Sequence, residues 1–168
     1  HEVGPLLDRL AALTTDVLGK VQVYERQVPR CKSAEDRQRA LVRAAEVASS
    51  LEQDQKVHQF FEVALAIAGP GEALGELRSL VKDADLGGKS TRLRRAFAEC
   101  LSKAGTEIRD GGKGRGVFLS CAASIADKDL ADPERALEWL GDALIAHVEE
   151  EYLDQLERMT EAKGDLSL

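Results

Sequence analysis

Aromatic side chains are scarce in this chain, with one Trp, two Tyr and four Phe among 168 residues. Sheets draw their strands from aromatic and β-branched runs, so the shortage argues against a sheet protein. Cysteine is scarce too. Cys31, Cys100 and Cys121 are odd in number and widely spaced, which excludes a disulfide framework and a CxxC metal site. Thiols of this kind fit a reducing compartment, and a cytoplasmic location is expected. No apolar run approaches the roughly 18 residues of a membrane span, and no signal peptide is visible. The chain opens on His1 rather than Met, and it is read as an excised portion of a longer protein.

A catalytic constellation is also missing. The serines and cysteines lack a Gly-x-Ser-x-Gly elbow, and there are three histidines, one of them terminal. His58/Glu62 and His147/Glu151 stand at i, i+4, a spacing that can bring two ligands to one metal on a helix face. However, no HExxH is present, and both histidines are read as surface residues. LGGKST (86–91) shares the end of a phosphate-binding loop, but Asp83 occupies the place of its first glycine and no strand precedes it. It is read as a turn and helix cap. Neither enzymatic activity nor a cofactor or metal is expected.

Charge and alanine are what the chain has. Charged residues make up 32% and the net charge is −7. Plentiful Ala, Leu, Glu and Arg favour helix throughout. The acidic balance argues against general nucleic-acid affinity, which needs a cationic surface.

The apolar periodicity predicts a series of helices. Residues 5–28 carry Leu6, Leu7, Leu10, Leu13, Val17, Leu18, Val21 and Tyr24, with a break expected near Gly19 and a stop at Pro29. Ser33 is placed to cap a helix from Ala34 to Leu51, and a polar turn at Glu52–Gln55 precedes a second helix to Ala68. Gly69-Pro70-Gly71 is the clearest punctuation. Further helices are expected over Glu72–Asp85, from Ser90 or Thr91 through Ala104, and over Val117–Asp127, with a Gly87-Gly88 turn. Gly105–Gly116 reads as a loop by composition. Asp132-Pro133-Glu134 opens a last pattern, interrupted on the way to Met159 and ended by Gly164.

These helices repeat. Leu41, Ala44, Ala45, Ala48, Val57, Phe61 and Ala64 are matched 36 residues later by Leu77, Leu80, Val81, Ala84, Leu93, Phe97 and Cys100. A third copy has Leu119, Ala122, Ala123, Ala126, Ala136, Leu140 and Ala143. Tyr24 precedes Phe61 by 37 positions, and LLDRL (6–10) returns as YLDQL (152–156). Here the chain resembles the tetratricopeptide repeat family, whose period is 34, with small residues in both helices and an aromatic late in the second. DPERALEWLGDAL (132–144) and KVHQFFEVALAI (56–67) look like the family's second helix. The periods here are 36 to 43, and leucine replaces the first helix's tryptophan. The resemblance implies an all-α fold of antiparallel helix hairpins, stacked as a right-handed superhelix (an α-solenoid). It covers residues 5–163 as one helical-repeat domain of about four hairpins. HEAT-type repeats or a plain helical bundle are the alternatives.

The resemblance also implies a concave groove that receives a peptide or another protein. Carrying the groove positions across gives Arg39, Val42, Glu46, Ser49 and Ser50, then Arg78 and Lys82, then Val117, Ser120, Ser124 and Lys128. Arg78 and Lys82 would favour a partner of mixed or acidic character. The chaperone-clamping members use Lys and Asn where Val42 and Glu46 stand, so that role is not expected. A second candidate surface, for an anion or an acidic partner, is the basic concentration of Arg92, Arg95, Arg109, Lys113 and Arg115. Self-association is expected if Leu6, Leu7 and Leu10, or Leu153 and Leu156, leave the repeat ends open. The expected role is a non-enzymatic scaffold or adaptor binding protein, with no nucleic acid or membrane partner. The alternative role is a helical sensor domain that binds a small ligand or controls a tethered output domain.

Overall fold

The computed structural model describes residues 17–84, 89–108 and 112–165. Among them are eight α-helices, one 3-10 turn and no strand. The helices are α1 (Val17–Gln27), α2 (Ala34–Ser50), α3 (Asp54–Ala68) and α4 (Glu72–Asp83), then α5 (Ser90–Glu107), α6 (Gly112–Lys128), α7 (Pro133–Ala146) and α8 (Glu150–Asp165). Leu6, Leu7, Leu10 and the Gly87-Gly88 turn lie outside the described residues. The chain forms two compact units, His1–Ala96 and Phe97–Leu168, with the boundary inside α5.

In the first unit, α1 passes Gly19 without the expected break and gives way to the 3-10 turn Val28–Arg30 at Pro29. Proline lacks the N–H that the next helical turn would need. Ser33 caps α2 as anticipated, its Oγ accepting from the Asp36 N–H at 3.0 Å. α2 packs against α1, α3 and α4, and α3 packs against α4. Surrounded in this way, α2 is buried on several faces. Its last carbonyls are satisfied by the turn, where Leu51 and Gln53 N–H both donate to Ala48 O. Glu52 makes the reversal with φ of 60°. α3 ends at Gly69, also at φ 60°, a left-handed geometry that glycine adopts without a Cβ penalty.

In the second unit, α6 packs against α7, and α7 against α8. Asp132 opens α7, its carboxylate accepting from the Arg135 N–H at 3.3 Å. The interruption expected before Met159 is the link 147–149. Two boundaries differ from the sequence reading. α8 runs through Gly164 to Asp165, and most of the Gly105–Gly116 stretch is helical, since α5 extends to Glu107 and α6 begins at Gly112. These glycines serve packing. A Cβ on Gly112 would overlap the Ala146 carbonyl oxygen, and one on Gly116 would lie 3.2 Å from Tyr152 Cε2. One on Gly105 would lie 2.9 Å from Leu119 Cγ.

The positions matched across the three copies are alike in burial. All the matched positions are buried except Leu80, which is half-buried, and Tyr24 is buried as well. Alanines on both helices of a hairpin let the backbones approach. Phe61, Phe97 and Leu140 fill the space, each worth about 1.5–3 kcal/mol in transfer from water.

Candidate functional site

The residues of the expected groove have several fates. In the first unit, Arg39 is exposed and paired with Glu35 one helical turn earlier. Val42 is only 2% exposed and Ser49 is fully buried. Glu46, 8% exposed, accepts from Arg43 Nη1 at 2.7 Å. Val42, Glu46 and Ser49 are therefore corrected from groove surface to packed interior, because α1 and α4 as well as α3 lie against α2. Ser50 is exposed and donates back to Val47 O at 2.7 Å. Arg78 is half-buried and Lys82 exposed.

In the second unit, Ser124 is buried and Lys128 exposed. Val117 and Ser120 are half-buried, with Ser120 Oγ donating to Val117 O at 3.2 Å. Burial pushes the Tyr152 phenol's pKa up, with the Ser120 hydroxyl opposing it and Glu149 and Glu151 adding to it. Ser124 is likewise corrected to an interior position, because it lies on the packed side of α6.

The basic concentration is divided between the two units, Arg92 and Arg95 in the first and Lys113 and Arg115 in the second. Arg92 is engaged by Asp54 through two 2.7 Å hydrogen bonds, with Glu52 at 3.7 Å. Arg92's hydrogen bond holds the Asp54 carboxyl below its usual range; desolvation opposes it, and the charges of Arg92 and His58 add to it. The Asp54 hydrogen bond likewise holds Arg92 above its usual value. Arg95 is exposed on α5. Lys113 pairs with Glu149 at 3.4 Å, Arg115 is half-buried on α6, and Arg109 lies outside the described residues. Lys113 and Arg115 stand on a helix rather than in the loop expected from composition.

His58 Nδ1 is 2.8 Å from the Asp54 carbonyl oxygen, and His147 lies in the α7–α8 link with Nε2 3.2 Å from Glu149. No cluster of three or more metal-ligating side chains occurs among the described residues. Lys89, from the LGGKST stretch, donates to Ser50 O at 2.8 Å and so binds the end of α2. Cys31, Cys100 and Cys121 are thiols rather than half-cystines. Burial, then the nearby Asp36 charge, raises the Cys31 pKa while Arg37 opposes, which suits an inert packed thiol. No described helix is long and apolar enough to cross a membrane.

One surface was only partly legible. Leu153 is exposed at the start of α8, and Leu156 is half-buried. Ile145 and Val148 join it at the α7–α8 elbow. The sequence signal was their position beyond the last buried residue of α7, Ala143, but without that helix's end they read as a continuing apolar pattern. Beside the elbow, Glu151, Asp154, Glu157, Arg158 and Glu161 line a depression of about 350 Å³.

Comparison of the chain with protein-family models, curated proteins and solved structures finds no match.

Proposed function

We propose that the chain is a non-enzymatic helical-repeat module that binds a partner protein or peptide, its hairpins stacked in the right-handed tetratricopeptide manner. The observation that carries the reading is the burial of matching positions in all three copies. Repeats of this kind bury a continuous core by stacking and leave one side chain set per helix for recognition. Contact of α2 with α4 as well as α3 supports the reading, since successive first helices touch in such stacks. With Val42 and Glu46 interior, recognition in the first unit falls to Arg39, Arg78 and Lys82, which suit an acidic segment. Ser120 and Lys128 are the accessible candidates of the second unit.

The test is partner capture by wild type beside an Arg78→Glu/Lys82→Glu variant, with melting temperature measured on both. A protein held only by the wild type, at unchanged melting temperature, is the expected result. Equal retention by both would move recognition away from α4. Retention by neither would favour the ligand-sensing alternative.

A further inference from the structure

The α7–α8 elbow displays three apolar side chains within nine residues. Ile145 is 83% exposed, Val148 67% and Leu153 44%. Scattered exposed apolar residues are ordinary, but a group on one short stretch marks a contact surface.

The elbow has no room to turn these side chains inward. Its inner side is already occupied, with Gly112 and Gly116 bringing α6 against Ala146, His147 and Tyr152. Tyr152 is buried, and the His147 N–H donates to Ala143 O at 2.9 Å. Glu149 holds both Lys113 and His147. The backbone is thereby fixed with the three apolar groups outward.

The outer side of α8 is acidic. Glu150, Glu151, Asp154, Glu157 and Glu161 are exposed there, against Arg158, whose Nε donates to the Asp154 carbonyl oxygen at 3.3 Å. Acids in a helix's first turn are favoured by its dipole, which accounts for Glu150 and Glu151. That influence fades beyond the first turn, so it does not account for Asp154, Glu157 and Glu161. These last three carry the line of negative charge away from the elbow, and the depression lies among them.

The geometry points to the α7–α8 elbow as a docking surface for a cationic amphipathic helix of a partner protein. Its apolar side chains cover Ile145, Val148 and Leu153, and its Lys or Arg side chains reach the acids of α8. Charge complementarity selects this occupant. A second copy would bring another chain of net charge −7 to an acidic face. The elbow shares no residue with Arg39, Arg78 and Lys82, so either reading can fail without the other.

The probe is a fluorescently labelled leucine–lysine peptide patterned as an amphipathic helix, titrated by fluorescence polarisation. Its control is the same pattern with glutamate in place of lysine. Saturable binding of the lysine peptide alone is expected. Affinity should fall about tenfold or more in Ile145→Ser/Val148→Ser and again in Asp154→Lys/Glu157→Lys. Val63→Ser, at an exposed apolar position on α3, should leave it unchanged. All these side chains are solvent-exposed, and circular dichroism of each variant should match the wild type. Equal affinity in Ile145→Ser/Val148→Ser would overturn the proposal, leaving charge attraction alone. So would absence of saturable binding, or equal binding of the glutamate peptide. A wild-type dimer in sedimentation that Ile145→Ser/Val148→Ser abolishes would also overturn it, naming a second copy as the occupant.

Discussion

The α2–α3 hairpin and the junction of α6 with α7 and α8 achieve close packing by different means. In α2–α3, Ala44, Ala45, Ala48 and Ala64 set the approach and Phe61 fills the interior. At the junction, Gly112 and Gly116 admit a carbonyl oxygen and a tyrosine edge where an alanine would be crowded. Alanine keeps helix propensity while allowing proximity. Glycine sacrifices about 1 kcal/mol of propensity for a nearer approach. The same residue type that punctuates a loop can therefore be a packing residue on a helix, and neighbours decide which.

Removing the filler should have the largest effect. Phe61→Ala should cost about 3–5 kcal/mol, and Leu140→Ala, at the matching position of α7, about 2–5 kcal/mol. Chemical denaturation checks both, with circular dichroism following the whole chain and Trp139, the lone tryptophan, reporting on the second unit. A loss well below 1 kcal/mol at either site would break the equivalence of the copies.

The glycine argument is sharpened by a pair of alanine substitutions with opposite expected signs. Gly112→Ala should destabilise by about 1–3 kcal/mol, because the new methyl group meets backbone rather than a movable side chain. Gly141→Ala in α7 meets nothing within 4 Å and should stabilise by about 0.4–1 kcal/mol. If denaturation midpoints rise for both, the junction has slack and close approach is not what Gly112 provides.

The smallest effect concerns the ion pair that ties the start of α3 to α5. Asp54's carboxyl is held below its ordinary value, so the pair's contribution is present above about pH 4 and fades as acid protonates the folded state. Arg92→Met should remove that acid-range dependence and lower the melting temperature at neutral pH only slightly, since the pair is exposed to solvent. Parallel melting-temperature profiles for both proteins through the acid range would show that Asp54 gains nothing from Arg92.

Much of the helix pattern was readable because its signals are local. Ser33, Pro29, Gly69 and Asp132 act within one helical turn, and each behaves as its chemistry requires. The candidate surface was less legible. Val42, Glu46 and Ser124 sit at recognition positions by resemblance, yet a residue's exposure depends on how many helices surround its own. α2 has neighbours in α1, α3 and α4, and no local pattern counts them. Arg92 read as an available cation, but its acids, Asp54 and Glu52, stand far back in the sequence.

By itself the sequence determined the helical class, the caps and the periodic apolar positions, because helix propensity, capping and 3.6-residue spacing are properties of neighbours along the chain. Tertiary structure alone decided that Gly112–Gly116 is helix, that Val42 is interior and that Ile145 and Val148 face water. Those outcomes turn on which backbone or side chain comes alongside from elsewhere in the chain, and burial is a property of that company.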